Sequence, residues 1–295
     1  MLFTIESDQL IVQINSKGME MSSIRSKISN LEYLWQGDPQ YWTGQAPILF
    51  PIIGALKDGK TMFQGKEYAL PKHGFIRNSE LGKLVKQEKD RLVFRVTSST
   101  ETLAYYPFHF ALEVTFQLTG NCLEVKHLVK NTGEQDMYYS LGGHPAFACP
   151  IHTGAKYDEY AIEFPEVEQD HTWLIQSNGL IGSEGDQILN NTNLIPLHEH
   201  IFDADALIFK QLKSKKASLV HQKHGPVLEV EFEDFDYLGI WAKPGAPFVC
   251  IEPWLGIADS VNASGNMEDK EGIRRLSPQN SEIKSYQIRI LGELY

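Results

Sequence analysis

Apolar and polar residues alternate with a period of two along most of this 295-residue chain. That period belongs to strands with one buried and one wet face. In HFALEVTFQL, Phe110, Leu112, Val114, Phe116 and Leu118 point one way. Gly120-Asn121 then marks a turn and CLEVKHLV resumes the alternation, which predicts a β-hairpin. In PVLEVEFED, Leu228, Val230 and Phe232 alternate with Glu229, Glu231 and Glu233. RLVFRV, YAIEF, YLGIWAK, PFVCIEPW and YQIRIL read as strands in the same way, and QLIVQI with the run Ser22 to Lys27 makes a first meander. Helical patterns are scarce. WLIQSNGLIG lacks caps and length, and Ile208 to Lys216 has room for one helical turn at most.

Many short strands separated by Gly, Asn and Pro predict an all-β sandwich or barrel. No repeat, low-complexity tract or linker interrupts the chain, so residues 1–295 read as a single domain. Hydrophobic residues make up 42%, enough to bury a large core without staples.

The net charge of −11 disfavours nucleic acid and anionic membrane as partners, but not a neutral small molecule. Cys122, Cys149 and Cys250 are far apart and odd in number, which argues against a disulfide framework or a zinc site and for a reducing compartment. The first residues carry neither a basic nor an apolar leader pattern, and no run of apolar residues is long enough for a transmembrane helix. A cytoplasmic protein, monomer or homodimer, is the expectation. The motifs GxGxxG, GxxxxGK[ST], HExxH and GxSxG are absent, so nucleotide, metal and serine-elbow chemistry lack support.

Three clusters carry candidate chemistry. In LPKHGFIRNSE, His73 stands where a loop is expected to meet a strand, with Lys72 before it and Arg77 four residues on. In SLGGHPAFACP, Gly142-Gly143 allows either a close backbone approach or a positive φ, and Pro145 pins His144. A tight turn in which His144 caps a carbonyl is the bland alternative. In PFVCIEPWLG, alternation puts Phe248, Cys250 and Glu252 on one face and Val249 and Ile251 on the other, with Pro253-Trp254 ending the strand. A carboxylate on an apolar face is desolvated and its pKa rises, as a general base working near neutrality requires. A Glu252 satisfied by backbone donors or a salt bridge is the alternative. His109 and His127 read as structural. His198 and His200 lie two apart without further ligands at metal spacing. Tyr33, Trp35, Tyr41 and Trp42 read as core or as stacking groups for a sugar.

The ordered set EYLWQGDPQYW, APILFPIIGALKDGK, LPKHGFIRNS, YPFHF, GGHPAF, PFVCIEPW, KEGIRRLSP resembles the aldose 1-epimerase family, in its LacX-like branch, over nearly the whole chain. The HGFIRNS segment also resembles the hexose-6-phosphate mutarotases. The resemblance implies a galactose-mutarotase-like β-supersandwich with a sugar in an open groove. It implies catalytic roles for Glu252, His144 and His73, and an aspartate anchor in FDADALIF at Asp205 rather than Asp203. Arg77 and Trp254 are read as further substrate-binding groups. The chain departs from the family in having Ala55 where many relatives carry an arginine credited with holding sugar hydroxyls or a phosphate.

The reaction implied is mutarotation of a hexose. One group takes the proton of the C1 hydroxyl, another gives a proton to the ring oxygen, and the roles reverse on closure. Neither redox cofactor nor metal is required. Glu252 is the expected base, His144 the expected acid, and His73 a polarising group. A hexose phosphate is the alternative substrate. A non-catalytic carbohydrate-binding protein on the same fold is the rival reading. A glycoside hydrolase would need two flanking carboxylates, and only one strong candidate is present.

Overall fold

The computed structural model describes residues 1–292. Two antiparallel sheets dominate. The larger has nine strands, in the order Leu189–Pro196, Tyr160–Asp170, Lys216–His221, Gly225–Glu231, Ser281–Ile290, Cys122–Asn131, Phe110–Thr119, Arg91–Thr97 and Lys83–Gln87. The strand that closes the chain thus pairs between strands from its middle, so the sheet forms only once distant segments meet. The second sheet runs Leu207–Phe209, Tyr237–Trp241, Phe248–Trp254, Gly142–Gly143 and Ile48–Leu49, with Ala146–Ala148 also paired to Phe248–Trp254. A three-stranded meander, Leu2–Glu6, Leu10–Asn15 and Glu20–Ser26, opens the chain.

The alternation decides which faces are buried. Phe110, Leu112, Val114, Phe116 and Leu118 are all buried. Their strand pairs with Cys122–Asn131 from Phe110↔Asn131 to Thr119↔Cys122, leaving Gly120 and Asn121 as the loop, with Gly120 at φ +57. Leu228, Val230 and Phe232 are buried, while Glu229 pairs with Lys216 at 3.0 Å on the outer face. The strand Phe248–Trp254 differs: all seven residues are buried, because it runs in the interior of the second sheet with both faces covered.

Ile208 to Lys216 contains no helical turn; strand Leu207–Phe209 passes through a loop directly into strand Lys216–His221. A helix forms instead at Thr100–Tyr105, capped by Ser99, whose Oγ accepts from Thr102 N while Ser99 N donates to Thr102 Oγ1 at 2.8 Å. WLIQSNGLIG becomes a hairpin, Trp173–Ile175 with Ile181–Glu184. Among the described residues no helix is long and apolar enough to cross a membrane.

Candidate active site

The site lies on the second sheet, and strand register explains how residues far apart in sequence meet. Glu252 pairs across to Gly239 on one side, while the neighbouring positions Cys250 and Trp254 pair with Ala146 and Gly142 on the other. His144 lies between those two short partners, so it emerges beside Glu252. Gly142 and Gly143 make this possible by close approach and not by positive φ. A Cβ on Gly142 would stand 2.7 Å from Trp254 Cδ1, and one on Gly143 would stand 2.7 Å from the Tyr286 ring.

His73 arrives from the edge of the same sheet, where the next residue, Gly74, bridges to Phe50 just beyond strand Ile48–Leu49. It sits in the tight turn that runs into this bridge, at φ +67, followed by Gly74 at φ +73. A Cβ on Gly74 would lie 2.0 Å from the Phe50 carbonyl oxygen, so only glycine fits there. Gly54 clamps the histidine twice: its carbonyl accepts from His73 N at 2.8 Å and its N–H donates to His73 Nδ1 at 3.1 Å. A neutral ring held this way carries its proton on Nε2.

These groups surround a cavity of about 270 Å³ whose walls include His73, Arg77, His144, Asp205, Glu252 and Trp254. The structure therefore brings Glu252, His144, His73, Asp205, Arg77 and Trp254 together around one cavity, while Asp203, Tyr33, Trp35 and Tyr41 lie outside its walls. His144 Nε2 stands 3.2 Å from Glu252 Oε2, without the alignment of a hydrogen bond. Glu252 Oε2, His144 Nδ1 and the indole nitrogen of Trp254 are all buried without hydrogen-bond partners among the described residues. Such atoms are costly to bury. The His73 and His144 rings lie 5.9 Å apart at 75°.

Asp205 is exposed at the cavity mouth at φ +80, with Oδ1 fixed by the Ala206 N–H at 2.8 Å. Asp203 turns away to His200 Nδ1 at 3.0 Å. Arg77 is half-buried and makes no hydrogen bond or ion pair among the described residues; its nearest charged influences are Glu20 and Glu252, not Glu80.

Burial dominates the electrostatics. It pushes Glu252 well above the ordinary carboxylate range, with Asp205 adding to the shift and Lys72, the Trp254 N–H and Arg77 opposing it. It pushes His144 down to about 3, helped by the Arg77 and Lys72 charges. It also lowers His73 well below the usual histidine value, with His144 as the next cause. Each of the three is driven toward its neutral form, as desolvation requires.

Some participants carry little sequence signal. Trp42 was one of several aromatics read as core or stacking; it stacks on His144 at 4.9 Å and 27°. Trp241, not singled out, meets the same ring edge-on at 5.9 Å and lines the cavity. Glu20 accepts from the Gln45 and Ala46 amides at 2.7 and 2.9 Å and faces Arg77 electrostatically. The alternation of YLGIWAK was the available clue for Trp241; Glu20 had none. Cys250, behind the pair, brings a thiol within 4.8 Å of the His144 and Glu252 ligand atoms. Its thiol is pushed well up by burial, so a metal would have to displace a tightly held proton. Away from the site, His152, His221 and His224 cluster with ring centroids 4.5–5.1 Å apart. There His221 Nδ1 accepts from the Lys223 and His224 amides and is used up structurally.

A chain of this architecture, with His144 and Glu252 paired in the wall of a small cavity, matches the aldose 1-epimerase family model over residues 1–269 and belongs to that family. Protein LacX of Lactococcus lactis subsp. lactis, in its plasmid form, is 35% identical over 99% of this chain and 100% of its own length. A galactose mutarotase related enzyme from Lactobacillus acidophilus superposes with a TM-score of 0.92 at 31% identity, covering 99% of this chain and 98% of its own. A galactose mutarotase-like protein from Lactobacillus casei ATCC 334 gives a TM-score of 0.90 at 28% identity, over 99% and 100% of the two chains. The fold is accordingly the galactose-mutarotase-like β-sandwich, all-β as the alternation requires.

Proposed function

We propose that this protein is a mutarotase that interconverts the α and β anomers of a free hexose. The observation that carries the reading is the His144–Glu252 pair, 3.2 Å apart in the wall of the cavity of about 270 Å³. Ring opening needs one proton taken from the C1 hydroxyl and one given to the ring oxygen. The C1–O5 bond breaks, the C1–O1 bond becomes a carbonyl, and O5 becomes a hydroxyl. Rotation about C1–C2 followed by the reverse steps yields the other anomer.

The pair holds one proton. Burial favours it on Glu252, leaving both groups neutral. Hydroxyl donors of a bound sugar reaching the Glu252 carboxyl stabilise the carboxylate and move that proton to His144. Glu252 then acts as base and His144 as acid. His73, its Nε2–H freed by the Gly54 clamp, donates toward the developing carbonyl oxygen. A positioned acid or base is worth about 10²–10⁴-fold, enough for a reaction that water already performs slowly.

Freshly dissolved α-glucose or α-galactose, followed by polarimetry or NMR, tests this. Catalytic acceleration of anomer exchange is expected. Sugar binding without acceleration over the spontaneous rate would leave a carbohydrate-binding protein instead.

A further inference from the structure

Cys250 takes no part in ring opening, yet the strand that carries Glu252 sets it beside the reacting pair. Cys250 and Glu252 are two apart on strand Phe248–Trp254 and so share a face. Cys250 pairs with Ala146, two residues past His144. The sulfur, an imidazole nitrogen of His144 and a carboxylate oxygen of Glu252 consequently lie within 4.8 Å of one another, with all three side chains buried. Among the described residues no other three His, Cys, Asp or Glu side chains gather so closely.

Thiolate sulfur, imidazole nitrogen and carboxylate oxygen are the donors of protein zinc sites. The spacing fits as well. Bonds of about 2.0–2.1 Å at a tetrahedral angle put a nitrogen and an oxygen about 3.3 Å apart. His144 Nε2 stands 3.2 Å from Glu252 Oε2. A zinc–sulfur bond of about 2.3 Å puts the sulfur about 3.6 Å from either partner. A turn of the Cys250 side chain covers what remains of the 4.8 Å. His144 and Glu252 line the cavity and Cys250 does not, so the fourth tetrahedral position is left to water on the cavity side.

Charge decides which ion suits these donors. In the resting site the thiol keeps its proton and the His144–Glu252 pair holds one. A dication that displaces both protons to solvent is surrounded by a thiolate, a carboxylate and a neutral imidazole, and the buried centre remains uncharged. Burial holds the thiol proton tightly. A thiophilic ion offsets that cost, because a coordinated thiol is deprotonated outright. Lys72 and Arg77 in the cavity wall oppose any cation, while Asp205 favours one. A hard ion such as Mg²⁺, which prefers oxygen ligands and keeps its waters, gains too little here.

We infer that His144, Cys250 and Glu252 form a site for a thiophilic divalent cation of the zinc type, and that the bound ion shuts off anomer exchange. With the ion in place Glu252 has no free carboxylate to take the C1 proton, and His144 has no proton to give the ring oxygen. The inhibition rests on the mutarotase reading; the binding does not.

Titration of the chelator-stripped protein, with Zn²⁺ by calorimetry and with Co²⁺ by absorption, tests the binding. One ion per chain is expected, with a thiolate-to-cobalt charge-transfer band. Cys250→Ala and the closer-fitting Cys250→Ser should both lose the band. Each should also lose at least about a hundredfold in Zn²⁺ affinity, since even a group that only hydrogen-bonds to a ligand is worth about 10–100-fold. Cys122 and Cys149 remain in both variants, so a band that persists places the ion elsewhere and overturns the inference. Zn²⁺ affinity unchanged in both variants, or no Zn²⁺ bound by the wild type, overturns it equally. In the activity assay, Zn²⁺ should inhibit the wild type in competition with glucose, EDTA should restore the rate, and Mg²⁺ should have no effect. The metal-free Cys250 variants should turn over glucose as the wild type does and resist Zn²⁺. Equal inhibition of wild type and variants overturns the inference. If the metal-free wild type turns over no sugar, the mutarotase reading fails, and calorimetry and the cobalt band decide the site by themselves.

Discussion

His144 Nε2 lies 3.2 Å from Glu252 Oε2, and the same burial pushes the two groups in opposite directions, the imidazolium down to about 3 and the carboxyl well up. Between those two limits the pair holds one proton, which is the reactive form. As pH rises through the raised Glu252 value that proton is lost; as pH falls toward about 3 a second one is gained. Enzyme-dependent kcat/KM should therefore stay level through about pH 6–7, where an ordinary histidine titrates, and decline on the alkaline side. The limbs belong to the coupled pair and not to either residue alone. A rate that climbs through pH 6–7, or one with no alkaline limb, contradicts the one-proton pair.

Glu252→Gln separates activity from stability. Loss of the base should reduce mutarotation by at least about a hundredfold while sugar binding survives. Stability should move the other way. A carboxyl whose folded pKa is raised binds its proton more tightly folded than unfolded. Its contribution is fully present below the ordinary value of 4.5 and is lost as pH rises through the folded value. Glutamine carries no such penalty. The variant should thus melt above the wild type near about pH 8, with the gap closing toward about pH 4. Near-wild-type rates would remove Glu252 as base; equal melting curves at all pH values would remove its desolvation.

How much of this was legible in the sequence follows from what each feature depends on. The hairpin from Phe110 to Asn131 depends on alternation and a two-residue turn, both local, and it was readable outright. His144 and Glu252 stood out for local reasons too: a histidine between a double glycine and a proline, and a carboxylate among apolar residues. That they meet depends on the register Ala146↔Cys250 and Gly142↔Trp254, which no single segment encodes. Alternation puts Trp241 on a strand, but its meeting with His144 depends on register in the same way. The helix Thr100–Tyr105 was missed because six residues are too few to display a 3.6 period, although its Ser99 cap was present. The hairpin tip at Gln176 to Leu180 read only as a failed helix.

Lys270 and Asp259 form a buried strut under the site. Lys270 Nζ donates to Asp259 Oδ1 and to Ile257 O, both at 2.8 Å, while Asp259 Oδ2 accepts from Lys57 N at 2.9 Å and Asp259 N donates to Ala55 O. This ties down the loop whose Gly54 clamps His73. Lys270→Ala leaves a carboxylate buried without its cation, so urea unfolding should show a loss of about 3–5 kcal/mol. A loss below about 1 kcal/mol, the worth of an exposed pair, would mean the strut is solvated.

Arg77 decides between a free and a phosphorylated sugar. It is the half-buried cation of the cavity, makes no ion pair among the described residues, and is therefore free to contact a ligand. Lys72, exposed at the mouth, is the second cation. A phosphate would gain from both, since charge-assisted contacts are the strong ones. Against it stand Glu252 and Asp205 in the same cavity and Glu20 behind Arg77, within a chain of net charge −11. Each carboxylate that stays ionised raises the cost of bringing in an anion, whereas the hydroxyls of a neutral sugar satisfy both the guanidinium and the acids. Free glucose or galactose should therefore be preferred to glucose 6-phosphate. Arg77→Ala should act on KM more than kcat, by about 10–100-fold, the worth of a hydrogen bond to a charged group. Measured side by side in wild type and variant, a strong preference for the phosphate that vanishes with Arg77→Ala would reverse this choice and make Arg77 the phosphate ligand.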